Sequence, residues 1–189
     1  MSHSITAPVS LQQLSGTYTL DPEHTRIGFV ARHAMVTKVR GSFVEFEGGA
    51  VVDGGDFTKS SVSVVIRTAS IDTRNRERDE HLRSGDFLGV SDHPEIHFRS
   101  TAVRLISDTV FEVEGDLTIK GVTRSVTVEF TYAGMATDPW GATRIGFDGS
   151  AVINRRDFGV SFNAALETGG VLVSDKVALE FEISAVKAD

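Results

Sequence analysis

The 189-residue chain is 40% apolar and 24% charged, which is the composition of one ordinary globular domain. Its formal net charge of −7 gives no support to a nucleic-acid-binding surface, because such a surface needs clustered lysine and arginine. The chain has no cysteine, which excludes disulfides, thiolate metal sites and a cysteine nucleophile.

The beginning of the chain predicts neither an exported nor a membrane-spanning protein. Residues 1–16 are polar and contain Pro8, and they lack the basic region and apolar core of a secretory signal. No apolar run approaches the roughly 18 residues that a membrane span needs. We therefore expect a disordered leader over residues 1–16, one domain over residues 17–189, no transmembrane segment and a cytoplasmic location.

An apolar–polar alternation with a period of two dominates the rest of the chain. In residues 25–33 one face carries Ile27, Phe29 and Ala31 and ends in His33, which predicts a half-buried strand. The same alternation recurs in residues 61–66, 95–99, 111–119, 125–130, 145–153 and 177–183. Short turns rich in glycine, proline and aspartate separate these segments. The pattern predicts seven or eight strands in an antiparallel sandwich or barrel.

Small residues stand at several central inner-face positions, among them Ala31, Gly115, Gly149 and Ala151. Small inward residues leave empty volume, whereas glycine in a strand also marks bends and bulges. The interior of an eight-stranded barrel is just wide enough to be filled by side chains or to hold a ligand. Both interpretations, a cavity and simple curvature, stay open from the sequence.

A dense run of both charge signs, residues 76–87, interrupts the alternation. A short helix is predicted over residues 75–84, with Asp72 or Thr73 as its N-cap. Its charged residues either surround a barrel mouth as donors for a polar head group or pair among themselves and hold the helix as an end plug. Self-pairing is the commoner fate of such runs and favours the plug.

Nine segments of the chain resemble, in order, the motifs of the YceI-like family. They include YTLDPEH at 18–24, GDLTIKGVT at 115–123 and INRRDFG at 153–159, and the others lie at 29–33, 39–43, 70–73, 78–82, 86–87 and 94–98. The resemblance covers residues 17–186 and implies an all-β, extended, antiparallel eight-stranded lipocalin-like barrel with one short helix and a hydrophobic pore. Members of the family are known as polyisoprenoid-binding proteins, often dimeric, and many are exported.

The resemblance therefore implies non-catalytic binding of a long-chain isoprenoid or other amphiphilic lipid, for transport, storage or isoprenoid-quinone metabolism. The bound molecule is expected to be a polyisoprenoid or isoprenoid-quinone-like lipid, with no other cofactor, and a homodimer can form. We assign no catalytic residue and no metal ligand. The expected ligand-binding residues are Ile27, Phe29, His33, Phe43, Val64, Ile66, Arg78, His81, Leu82, Phe87, Phe98, Leu117, Val128, Phe130, Phe147 and Ile153.

Two other functions stay open. An enzyme acting on the lipid head group would use His81, Asp79 and His33 as acid–base groups that meet at the pore mouth. Alternatively, a solidly packed barrel would bind a partner through its surface. A metal site at His93 and His97 is disfavoured because the strand pattern takes them off one helical face. The nucleophile elbow of a hydrolase, Gly-x-Ser-x-Gly, does not occur in the sequence.

Overall fold

The computed structural model describes residues 9–188. Its strands are β1 (Gly16–Leu20), β2 (Arg26–His33), β3 (Thr37–Phe43), β4 (Phe46–Val52), β5 (Ser61–Arg67), β6 (Ile71–Asp72), β7 (Glu95–Leu105), β8 (Val110–Ile119), β9 (Val122–Thr137), β10 (Thr143–Asn154) and β11 (Lys176–Lys187). The helices are α1 (Val9–Gln12) and α2 (Arg76–Arg83), with 3₁₀ turns at Phe57–Lys59, Thr68–Ser70 and Arg155–Phe158.

The strands close into an antiparallel barrel of eight positions. In the order β1, β4, β5, β7, β8, β9, β10 and β11, each strand pairs with the next, and β1 pairs with β11 to close the ring. Full closure leaves this ring without unpaired edges. The predicted all-β, eight-stranded antiparallel barrel is confirmed.

Three further strands extend the barrel at one end. The first half of β11 pairs with β2, and its last residues pair with β1. Strands β1 and β2 therefore lie end to end beside β11, with β1 in a lower tier and β2 in an upper tier. The break between the tiers falls at residues 21–25, where Pro22 has no backbone N–H to give to a ladder. β3 pairs with β2 and β6, and it continues the line of β4. The upper tier ends at the β2–β3 hairpin and α2.

The opposite end of the barrel is closed by the chain that precedes β1. Leu11 and Leu14 are each 1% exposed and pack with Tyr18 and Phe57 in one core cluster. The Tyr18 hydroxyl donates a hydrogen bond to the Leu14 carbonyl at 2.9 Å. A disordered leader was predicted over residues 1–16. From Val9 onward the structure is ordered instead, and residues 1–8 lie outside the described part. Two leucines three residues apart in a polar segment are too weak a pattern to predict a plug.

The helix predicted over residues 75–84 is α2, but its predicted cap was wrong. The N-cap is Asn75, whose Oδ1 accepts a hydrogen bond from the Arg78 amide at 3.0 Å. Asp72 instead accepts from the Arg74 amide, in a turn where Arg74 has a φ of 60°. This turn separates Asp72 and Thr73 from the first helical amides, so neither can cap them.

Candidate functional site

Three cavities follow one another through the barrel. The first, beside the Leu14 plug, has a volume of about 130 Å³, and the second has about 120 Å³. Both are lined by Leu20, Val62, Val64, Phe130 and Ile183, so they adjoin at the middle of the barrel. The third has about 400 Å³ and meets the second at Phe29. The interior is thus a channel with a plugged end and a mouth between β2, β3 and α2.

The residues expected from the sequence lie along this channel in an ordered way. The first cavity is lined by Phe147, and both inner cavities are lined by Val64 and Phe130. The second cavity is also lined by Ile27, Phe29, Phe43, Ile66, Phe98, Leu117 and Val128. The mouth cavity is lined by Phe29, His33, Arg78, His81, Leu82 and Phe87. Ile153 packs against the adjoining core cluster but lines none of these cavities. The structure therefore brings together every expected residue except Ile153.

Aromatic rings fill the space beside two of the small inner-face residues. A Cβ atom on Gly115 would be 2.5 Å from Phe98 Cζ, and one on Gly149 would be 2.5 Å from Phe130 Cε1. Phenylalanine rings from neighbouring strands thus cover these glycines, an arrangement that stabilises glycine in sheets. Ala151 lines neither inner cavity. Of the two interpretations left open by the sequence, rings fill the space beside Gly115 and Gly149, whereas Ala31 lines the mouth cavity.

Helix α2 is tied to the barrel by a buried polar contact at its first turn. Asp79 is 7% exposed, and its Oδ1 accepts hydrogen bonds from the Thr73 amide and hydroxyl at 2.9 and 2.5 Å. Arg78 Nε donates to Thr73 Oγ1 at 2.7 Å, and its Nη2 donates to the Thr73 carbonyl at 2.8 Å. Asp79 therefore helps to attach the helix through Thr73, and not by pairing with a neighbouring arginine.

An aromatic cluster forms one wall of the mouth. The His81 ring packs edge-on against Phe87 and Phe162, with centroid distances of 5.0 and 4.9 Å. Its Nε2 lies 2.8 Å from Asp86 Oδ2. His33, which lines the same cavity, is exposed. Of the three acid–base candidates, His33 and His81 both line the mouth, whereas Asp79 accepts hydrogen bonds from Thr73. The carboxylate next to His81 belongs to Asp86.

The loop that carries Phe162 is held down by one buried arginine. Arg155 is 6% exposed and donates hydrogen bonds to the carbonyls of Val160, Phe162 and Ser174 at 2.7, 2.9 and 2.8 Å. Burial lowers the pKa of this guanidinium from its ordinary value, against the opposing effect of Asp175. Because Arg155 stays charged and its donors are matched by carbonyls, it fixes residues 160–174 over the mouth.

Sequence reasoning missed the residues that close the two ends of the channel. Phe162, Leu172 and Val173 line the mouth from a loop without alternation, and Leu14, Tyr18 and Phe57 close the far end. A loop gives no periodic signal, so these contacts depend on tertiary structure. Leu179, Phe181 and Ile183 also line the second cavity. Their alternation with Glu180 and Glu182 was visible and would have placed them there.

Within residues 9–188, no three or more histidine, aspartate or glutamate side chains are grouped closely enough to hold a metal ion. In the same residues, no helix has the length and apolar character needed to cross a bilayer.

A closed, extended antiparallel barrel with an apolar interior channel and a mouth beside a short helix defines a lipocalin-like barrel protein. The family model described as the YceI-like domain matches residues 18–185. The chain belongs to the YceI-like family.

Relatives and solved structures agree with this assignment. A UPF0312 protein of Staphylococcus aureus is 38% identical over 169 residues, which cover 89% of this chain and 95% of that protein. A UPF0312 protein of Pseudomonas aeruginosa is 40% identical over 154 residues, 80% of each chain. The crystal structure of BcnA from Burkholderia cenocepacia has a TM-score of 0.77 at 25% identity and covers 87% of this chain and 98% of its own.

A more distant structure shares the fold. It is a polyisoprenoid binding domain from Saccharophagus degradans implicated in plant cell wall breakdown. Its TM-score is 0.69 at 15% identity, and the match covers 90% of this chain and 98% of that domain. At this identity the similarity establishes the common barrel.

Proposed function

We propose that this protein binds an isoprenoid lipid without catalysis, with the tail in the channel and the head group at the mouth. The observation that carries the proposal is the pair of apolar cavities in series behind a mouth with polar groups. An amphiphile has the matching polarity along its length. The family membership and the polyisoprenoid-binding domain of the same fold support the same class of ligand.

The tail supplies most of the affinity in this proposal. Burial of one CH₂ group contributes ~0.8 kcal/mol, so one isoprene unit contributes roughly 3–4 kcal/mol before ordering costs. A charge-assisted hydrogen bond to a head group adds about 1.5–3 kcal/mol. The tail therefore sets how tightly a lipid binds, and the head group selects among lipids with similar tails.

The cavity volumes set how much tail the channel accepts. An apolar cavity of about 150 Å³ holds one benzene molecule. Each inner cavity, at about 130 and 120 Å³, therefore accommodates about one five-carbon isoprene unit. Phe130 lies where the two cavities adjoin. A longer tail requires this ring to turn aside or leaves its remaining units in the larger mouth cavity.

The mouth offers three side chains to a polar head group. His33 and His81 line it, and each has a ring that can donate or accept. Arg78 uses Nε and Nη2 on Thr73, which leaves the donors of Nη1 for a ligand. This set suits a phosphate, a hydroxyl or a quinone oxygen. Transport, storage or a part in isoprenoid-quinone metabolism are the roles consistent with such a carrier.

Mass spectrometry of an organic extract of freshly purified protein tests the proposal. We expect a prenyl lipid at up to one molecule per chain, and none from a denatured and washed control. Protein that yields no lipid and fails to take up added isoprenoids would refute the proposal. The homodimer and the cytoplasmic location stay predictions.

A further inference from the structure

The β2–β3 hairpin presents an apolar tip beside the mouth. Met35 is 63% exposed and Val36 is 76% exposed. The neighbouring loop adds Val171, which is 37% exposed, next to Leu172, whose carbonyl accepts a hydrogen bond from the Ala34 amide at 2.8 Å. We call Met35, Val36 and Val171 the rim patch. Its side chains line none of the three channel cavities, so the channel does not account for their exposure.

The hairpin that carries the rim patch is positively charged in an acidic protein. Residues 27–44 contain Arg32, Lys38 and Arg40 and no aspartate or glutamate, whereas the whole chain has a net charge of −7. Arg40 lies 3.5 Å from Glu180. Arg32 and Lys38 are exposed and form no ion pair with the residues that the structure describes. The acidic residue that lines the mouth is Glu77, which belongs to α2 and not to the hairpin.

The tip also has an unusual sequence for its backbone. The Val36 amide bonds to the His33 carbonyl at 3.1 Å, and the two central residues of this turn have positive φ angles, 51° at Ala34 and 62° at Met35. Such a hairpin turn ordinarily takes Asn-Gly, because residues with a Cβ adopt positive φ at a cost. The turn thus carries a large apolar side chain where local conformation favours glycine.

We propose that the rim patch and its flanking cations dock the protein on an anionic lipid bilayer, with the mouth facing the membrane. This rests on the proposed function, since a carrier of a membrane lipid must receive it through the mouth. Apolar side chains inserted at the interface together with nearby Lys and Arg are how peripheral proteins bind anionic bilayers. Docking at the hairpin brings the lipid into the mouth without exposing its tail to water.

Vesicle co-sedimentation tests the docking. We expect the full chain to bind phosphatidylcholine vesicles that contain phosphatidylglycerol and to bind pure phosphatidylcholine at least tenfold more weakly. The double substitution Ala34→Asn with Met35→Gly gives the turn its preferred residues, so it keeps or raises the unfolding midpoint while weakening vesicle binding at least tenfold. Lys38→Gln weakens vesicle binding about fivefold, because one lysine near an anionic surface contributes about that factor to the affinity.

A fluorescence experiment locates the contact. Trp140, the single tryptophan, is 87% exposed in the β9–β10 turn, beside the end of β11 that lies away from the β2–β3 hairpin. In a Trp140→Phe background, we expect the emission of Met35→Trp to shift to the blue on anionic vesicles and that of Val51→Trp, exposed on β4 beside Thr17 at the plugged end, to stay unchanged. The emission of Trp140 in the unaltered chain should not change either.

Several outcomes would overturn the docking proposal. They are undiminished vesicle binding by the hairpin double variant, equal binding to both vesicle types, and a blue shift at Trp140 instead of at Met35→Trp. A dimer that the double variant converts to a monomer, with no vesicle binding, would assign the patch to a second copy instead. Titration with a soluble short isoprenoid separates the two hypotheses: a chain that takes it up but ignores vesicles keeps the proposed function and loses the docking.

Discussion

Individual polar residues hold the mouth of the channel in shape. Asp79 is buried and accepts both donors of Thr73. We predict that Asp79→Ala lowers the free energy of unfolding by about 2–3 kcal/mol, because the Thr73 amide is left buried without its charged acceptor. Urea denaturation measures this loss.

The next residue provides a matched control for Asp79. Glu80 is exposed and, among the residues that the structure describes, pairs with Arg76, whose side chain is 92% exposed. Glu80→Ala should change the free energy of unfolding by no more than about 0.5 kcal/mol. Equal losses for the two variants would show that the Thr73 contact does not anchor α2.

A second residue-scale prediction concerns acid stability. The guanidinium of Arg144, then His24, lowers the pKa of Asp21 from 3.8 to about 2. A lowered folded-state pKa contributes stability above the unfolded value, and this contribution disappears as pH falls through about 2. We predict that Arg144→Gln lowers the free energy of unfolding above pH ~5 and that the difference from the unaltered chain narrows toward pH ~2. A cost that is the same at every pH in urea titrations would contradict this assignment.

The inward parity of single residues was largely readable from the sequence. Period-two alternation is enough to place Ile27, Phe29 and Val64 on an inner face, because side chains of a strand alternate between its two sides. It was not enough for the charged residues. The roles of Asp79 and Arg78 depend on Thr73, which approaches them only because β6 ends there. Such contacts join an irregular turn to a helix, and the sequence of the turn does not predict where the helix lies, nor the reverse.

At the scale of elements, the loop over residues 160–174 depends on Arg155. Four carbonyls of the loop, those of Val160, Phe162, Val173 and Ser174, accept hydrogen bonds from this buried side chain. We predict that Arg155→Met increases amide hydrogen exchange throughout residues 160–174, because the loop loses its common donor. The free energy of unfolding should fall by about 3 kcal/mol, as carbonyls are left buried and unpaired.

Arg156 is the control for the loop prediction. Its side chain is 52% exposed and pairs with Asp175 at 2.8 Å. Arg156→Met should leave the exchange of residues 160–174 close to that of the unaltered chain and cost less than about 1 kcal/mol. Protection of the loop that survives Arg155→Met would mean that contacts of Phe162 with His81 and Phe87 hold it instead.

Regular elements were predictable, and irregular closures were not. Strands β2, β5 and β7 to β11 follow from alternation, and α2 follows from its dense charged run, whereas β1, β3, β4 and β6 lie outside the alternating segments. The plug formed by Leu11 and Leu14 and the loop of Phe162 have no repeating pattern, and their positions are set by the ends of a barrel that must first exist. The split of one barrel position into β1 and β2 likewise needs the pairing with β11.

At the scale of the whole molecule, the channel is a consequence of aromatic packing between strands. Phe98 and Phe130 lean over glycines of neighbouring strands, and the space they leave becomes the two inner cavities. The sequence indicated that the interior had room, but the position of that room depends on which way each ring turns. Ring rotation depends on neighbours from several strands, which no local pattern encodes.

The same geometry identifies where the channel can be blocked. Phenylalanine at Gly115 would collide with Phe98 and with the Arg99 carbonyl, and Ala151 does not line the inner cavities. Val64 lines both inner cavities. Val64→Phe therefore fills the space where the cavities adjoin, with its ring beside Gly48, the partner of Val64 on β4. Val65 is half-buried on the outer face of the same strand, so Val65→Phe is its matched control.

Titration of a short isoprenoid alcohol into these three proteins is the most direct test that the channel holds the tail. We predict one binding site in the unaltered chain, at least tenfold weaker binding to Val64→Phe, and unchanged binding to Val65→Phe, all with similar unfolding midpoints. Weakening in Val64→Phe follows from the loss of space for about one isoprene unit. No binding to the unaltered chain, or equal binding to Val64→Phe, would contradict the account.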